Sequence, residues 1–501
     1  VALQEAAGAG HRLRGGAVRA SRVSIAAPLI RVDRDDRRRR GPDRVRSAVS
    51  ANGGYRPRTV SPDNASSTAR GDESRRRDTP PAPRTDLAPS PPPALRRAIP
   101  PAACVRDDCA LGAKGGNLKP LRHLAKVRPA LPVVLVHFRE DDVDHVGHVA
   151  DTLRQLGAQI AELKGTRLAG EFRPTQRYPA HRYMIPDDTL TLSQAHKLGI
   201  RSVRDLFGGV VPFPFVATKV IAHRLVEGAQ ARPPGWSAAF AESTAPLTLP
   251  GYSAFSHEDA RTAAQLLLKD GHVRIKRPDG IGGTGQTLVA DIAEAERELA
   301  ALDDDALRAG GIVVERNLDA IETLSVGQVT LDDLVASYWG VQHLTVNNHG
   351  HHVYGGTDLV VVRGGFDVLA QLDVTPDVRD AIAKACAFDA AVHRDYAGFF
   401  ASRRNYDVAF GTDAQGVRHC GVLEQSWRIG GATGAEIGAL RMFRADPQAD
   451  AVAASTHEIY GDDPAIPAGA HIVYRGVDPQ AGAITKYYTV DRHPLRRSSE
   501  T

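Results

Sequence analysis

The sequence predicts a mixed α/β protein of several domains, and three observations carry that reading. Short apolar runs alternate with helical periodicity between residues 131 and 215, the pattern of strand–helix–strand units. Farther on, a β-type run ending in Lys276 leads through a glycine-rich loop into a second β-type run, over residues 273–289. Near the C-terminus two more β-type runs, 405–410 and 421–426, each carry a carboxylate. At about 150 residues per domain, a chain of 501 residues forms roughly two to four domains. No run of about 18 uncharged apolar residues occurs, so a membrane-spanning helix is not expected.

The first segment stands apart from the rest. Residues 1–100 hold 21 arginines, no lysine, ten acidic residues and one aromatic, Tyr55. That composition offers too little apolar surface to offset chain entropy. Residues 1–130 are therefore expected to be a disordered or non-native N-terminal extension, and the lack of any methionine before Met184 points the same way. The formal charge of +4 is the sum of this basic arm and an acidic remainder. Without interleaved aromatics the arm does not predict a nucleic-acid partner. Cys104, Cys109, Cys386 and Cys420 form neither a disulfide framework nor a zinc quartet, and they fit a reducing cytoplasm.

Periodicity sharpens after Pro129. Residues 133–137 read as a buried strand, 146–156 as an amphipathic helix ending at Gly157, and 159–163 as a second strand. Residues 182–186 read as a further strand, with a helix starting near Ser193. No G-x-G-x-x-G loop follows, so a dinucleotide site is not expected. Asp187 and Asp188 lie just past a strand end, where they either face a ligand or form a turn.

The chemistry-bearing residues lie between Lys219 and Gly431. Residues 217–225 read as a helix carrying Lys219 among apolar neighbours, and Ser256-His-Glu-Asp259 starts another helix. In Val273-Arg-Ile-Lys276-Arg-Pro-Asp-Gly280-Ile-Gly-Gly-Thr-Gly285, strand, glycine loop and strand make a hairpin able to close over phosphates. A Walker A loop is absent. Glu315 and Glu322 then bracket a connector whose backbone near Arg316 and Leu318 suits an adenine edge, and Glu322 suits two ribose hydroxyls. Asp407 and Glu424, on neighbouring strands, are suited to Mg²⁺. Arg428 presents a planar fork to a phosphoryl or carboxylate group.

In this order the residues resemble the ATP-grasp superfamily over about residues 131–490. The resemblance implies an α/β (α+β) ATP-grasp fold in three parts. These are a Rossmann-like pre-ATP-grasp subdomain (131–215), a helical linker and lid (216–330) and a C-terminal subdomain with the metal site (331–495). It implies ATP and Mg²⁺ as cofactors, with Lys219 and Lys276 on phosphates and Gly282, Gly283 and Gly285 in the lid. Glu315, Arg316, Leu318 and Glu322 would surround adenine and ribose, and Asp407, Glu424 and Ser426 would hold metal. Arg428 and Lys276 would meet the transferring phosphoryl group. Ser426 departs from the family, which usually has Asn there. The implied activity is ADP-forming ligation, in which a carboxylate activated as an acyl phosphate meets an amine, thiol or similar nucleophile. The departure at Ser426 keeps a catalytically degenerate nucleotide-binding or scaffold protein as the alternative. Expected partners are small molecules, with no membrane and with a homo-oligomer left open.

Three phrases resemble, more narrowly, an uncharacterised bacterial family known only as a domain of unknown function. They are Asp205-Leu-Phe-Gly-Gly-Val-Val-Pro212, Ser402-Arg-Arg-Asn-Tyr-Asp407 and Glu424-Gln-Ser-Trp-Arg-Ile-Gly-Gly431. Two remaining constellations are a histidine-rich stretch, His343 to His352, read mainly as turn chemistry, and Asp358 with Arg363, read as acceptor-side candidates.

Overall fold

Alternating apolar residues build the sheets that carry the site. The computed structural model describes residues 23–24, 132–139, 145–278, 280, 285–492 and 496–497. The expected extension therefore lies outside the described residues except for the backbone of Val23 and Ser24, and so do Gly282 and Gly283. The mixed helix–strand class expected from the sequence is observed.

The first sheet has Val133–His137 at its centre, flanked in parallel by Arg167–Glu171 and Arg182–Pro186. Helix His148–Leu163 covers it. This corrects the expected stop at Gly157 and the expected strand at 159–163. A Cβ on Gly157 would come within 3.0 Å of the Val136 side chain. The glycine thus lets the helix approach the strand, and its role is packing, not termination. The strand expected next comes later, at Arg167–Glu171. Thr191 and Gln194 form a reciprocal capping box for the short helix Leu192–Lys197.

A four-stranded antiparallel sheet follows, in the order Gly251–Ala254, Ile312–Arg316, Val273–Lys276, Gln286–Val289. Helix His257–Leu267 packs on it, and Ser256 caps that helix through the Asp259 amide at 3.1 Å. The hairpin expected around the glycine loop is present, with Lys276 opposite Gln286. Lys219 does not sit on the expected helix. It begins a single 3₁₀ turn, Lys219–Ala222, capped by Thr218.

The largest sheet is antiparallel with eight strands. In spatial order they are Arg418–Ser426, Arg403–Thr412, Asp319–Leu331, Leu334–Val346, His352–Arg363, Ala451–Tyr460, Gly482–Arg492 and His471–Asp478. Neighbouring residues point to opposite faces. Tyr338 therefore packs with helix Thr433–Ala445, and Trp339 with helix Pro376–Asp395 on the other side. Among the described residues, no helix is long and apolar enough to cross a membrane.

Candidate active site

The two larger sheets and the 3₁₀ turn at Lys219 converge on one cleft of about 1710 Å³. Lys276 ends its strand buried, and its ammonium pairs with Glu315 on the neighbouring strand. The other carboxylate oxygen of Glu315 lies 3.0 Å from Nε2 of His223, which is also buried. Burial alone would raise the Glu315 carboxyl, but Lys276 and His223 outweigh it and hold the group down to about 2. A carboxyl at about 2 when folded and 4.5 when unfolded adds stability that is complete above pH 4.5 and is lost as pH falls toward 2. Glu315→Gln should flatten that part of the acid limb, read as the urea midpoint between pH 5 and about 2.5.

Lys219, likewise buried, donates to the Gly280 carbonyl at 2.7 Å and pairs with Glu424 Oε2 at 2.7 Å. It ties the base of the glycine hairpin to the acidic strand. Asp407 and Glu424 are direct cross-strand partners. Burial first, and then the Glu424 charge, push the Asp407 carboxyl up to about 6. Asn405 Nδ2, donating to Asp407 Oδ1 at 2.9 Å, opposes that shift.

Two adjacent oxygen donors under mutual repulsion fit a hard divalent cation, which commonly takes one or two carboxylates and completes its shell with phosphates and water. Among the described residues, no three His, Cys, Asp or Glu side chains form a metal cage. Ser426 is a weaker donor than the sequence implies. Its hydroxyl and carbonyl accept from Arg403 Nη1 at 3.2 and 3.1 Å, so a metal there would share the oxygen with a guanidinium.

Arg428 points its Nε toward Asp188 Oδ1 at 3.4 Å, and Asp188 also pairs with Arg139 at 2.8 Å. Arg316 acts as a brace, its guanidinium spanning Asp270 at 2.6 Å and Asp413 at 3.2 Å. Its amide donates to the Pro250 carbonyl at 2.9 Å, so that amide is already engaged in the fold. Leu318 is buried and Glu322 exposed at the cleft edge.

Lys219, Lys276, Glu315, Arg316 and Leu318 all line the cleft, as do Glu322, Asp407, Glu424, Ser426 and Arg428. Gly285 does not; it turns the hairpin at φ 66° and accepts from the Arg277 amide at 2.9 Å. The acceptor-side candidates fall away. Asp358 pairs with His343 at 2.7 Å, while Arg363 donates to the Phe443, Asp446 and Ala449 carbonyls, and neither lines the cleft. The histidine-rich stretch contains a turn at Asn347, whose amide donates to His351 O.

Sequence reasoning missed His223, Asn405, Arg403 and Glu436. Asn405 had a readable signal, since it lies two residues before Asp407 and so on the same strand face. Arg403 and Glu436 are 33 residues apart, and nothing local announces their pairing.

No curated protein matches the chain. Among solved structures it is similar to N5-carboxyaminoimidazole synthetase from Staphylococcus aureus complexed with ADP, at 11% identity and TM-score 0.42 over 73% of this chain and 94% of that one. It is also similar to phosphoribosylamine–glycine ligase from Thermotoga maritima, at 12% identity and TM-score 0.40 over 73% and 93%. A third similar structure is the biotin carboxylase β-γ-ATP complex from Campylobacter jejuni, at 12% identity and TM-score 0.37 over 72% and 87%. A family model described as "protein of unknown function (DUF3182)" matches residues 134–488, and the chain belongs to that family.

Proposed function

We propose that the chain is an ATP-grasp ligase-type enzyme that binds Mg-ATP in this cleft and activates a carboxylate as an acyl phosphate for an amine or similar nucleophile. One observation carries the reading. Two buried lysines, Lys219 and Lys276, and the cross-strand carboxylates Asp407 and Glu424 line a single cleft.

When bound, Mg-ATP would supply the phosphoryl group, with the metal neutralising charge that develops on it. Lys219 and Lys276 would hold phosphate oxygens, and their pairing to Glu424 and Glu315 already fixes where the ammonium groups point. Asp407 and Glu424 would hold the metal, and Glu322 would accept the ribose hydroxyls. Arg428, whose Nη1 donates to the Ile429 carbonyl at 2.9 Å, would orient the substrate carboxylate with the rest of its guanidinium.

The test is thermal unfolding of the purified protein. Mg-ATP should raise Tm, the rise should vanish with a chelator, and Asp407→Asn should weaken its dependence on Mg²⁺. A Tm indifferent to Mg-ATP would overturn the reading. ADP release with some carboxylate–nucleophile pair distinguishes the enzyme from a degenerate nucleotide binder.

A further inference from the structure

The first, parallel sheet also opens into the cleft. Arg139, just past strand Val133–His137, and Asp187 and Asp188, just past Arg182–Pro186, line it together with Arg428. The crevice outside the carboxyl ends of parallel strands is where open α/β sheets take their ligands.

Four charges alternate at this edge. Arg139 Nη1 pairs with Asp188 Oδ2 at 2.8 Å, and its Nε lies 3.8 Å from Asp187 Oδ2. Asp188 Oδ1 in turn lies 3.4 Å from Arg428 Nε. The set adjoins the Asp407–Glu424 pair, because Glu424 acts on the Arg428 guanidinium alongside Asp188. Its internal pairing is incomplete. Arg139 is 59% exposed, so its ion pairs are weak surface pairs. Asp187 Oδ1 is enclosed without a hydrogen-bond partner, and burial holds the Asp187 carboxyl above its usual range despite Arg139.

These charges discriminate among ligands. A simple carboxylate at Arg428 would lie against Asp188, and a simple amine at the aspartates would lie against two guanidinium groups. Such like-charge neighbours disfavour a wrong partner. A molecule carrying both charges meets each with its opposite and leaves the net charge of the set unchanged. The 3.4 Å approach of Asp188 to Arg428 sets the spacing, so the ligand's two charges must be adjacent.

Building on the ligase reading above, we propose that the carboxylate substrate is an α-amino acid, bound with its carboxylate at Arg428 and its ammonium at Asp187 and Asp188.

The experiment measures binding to the full chain by calorimetry, with and without Mg-ADP. The ligands are glycine and the common L-amino acids and then, for the tightest of them, its deaminated acid and its amide. The amino acid should bind about tenfold or more tighter than either relative, as expected for losing one charge-assisted contact. Asp187→Asn is isosteric, and its Tm reports whether it folds. It should cut the amino acid's affinity about tenfold and leave that of the deaminated acid unchanged. A deaminated acid that binds as tightly, silence across the whole panel, or a folded Asp187→Asn protein with unchanged amino-acid affinity overturns the proposal. Failure to bind Mg-ADP overturns the nucleotide reading instead, and the series run without nucleotide still decides the substrate class.

Discussion

Glu436→Gln is expected to cost the protein about 3–5 kcal/mol of stability, read as a lower urea midpoint with an unchanged slope. Arg403 and Glu436 are 1% and 0% exposed. Arg403 Nε and Nη2 donate to Glu436 Oε1 at 3.0 and 2.8 Å, while Tyr338 donates to the same oxygen at 2.6 Å. A guanidinium does not shed its proton at any working pH, so an amide in place of Glu436 leaves a buried, uncompensated cation. The paired substitution Arg403→Met with Glu436→Leu removes both charges and should recover much of the loss. The effect reaches the cleft. Arg403 also donates to the carbonyls of Ser426 and Arg428 at 3.1 and 2.7 Å, and the Tyr338 oxygen lies 2.9 Å from the amide group of Asn405, which holds Asp407. One ion pair between a strand and helix Thr433–Ala445 thus fixes the segment bearing Arg428 and the orientation of Asp407.

Lys276→Ala should weaken Mg-ATP binding by about ten- to a hundredfold, the range for losing a charge-assisted hydrogen bond of about 1.5–3 kcal/mol. It should also lower Tm, because Glu315 would stay buried with only His223 beside it. These two consequences can be separated. Lys276→Met combined with Glu315→Gln neutralises the pair and should restore much of the stability while leaving nucleotide affinity low. Recovery of affinity together with stability would mean that Lys276 acts only as Glu315's counter-ion.

The strands were largely legible because continuous β-branched runs mark strands covered on both faces and period-two alternation marks those with one face buried. Residues 133–137, 182–186 and 273–276 all appear as read. Gly157 misled because a glycine that lets a helix approach a sheet looks, in sequence, like one that ends a helix. Lys219 misled differently. Its apolar neighbours are buried through a 3₁₀ turn wedged between elements, and such a turn has no periodicity to read. At the site, scarcity helped. Lys276 is the only lysine between Lys269 and Lys384, and a lone cation before a glycine loop stands out. The partners that hold the site, His223 and the Arg403–Glu436 pair, come from distant segments, and only the folded sheet brings them together.

The most direct measurement is the structure of the protein crystallised with Mg-ADP. The account predicts phosphate oxygens within hydrogen-bond reach of Lys219 and Lys276, and a metal ion ligated by Asp407 and Glu424. Nucleotide bound away from both lysines, or a metal held without either carboxylate, would contradict it.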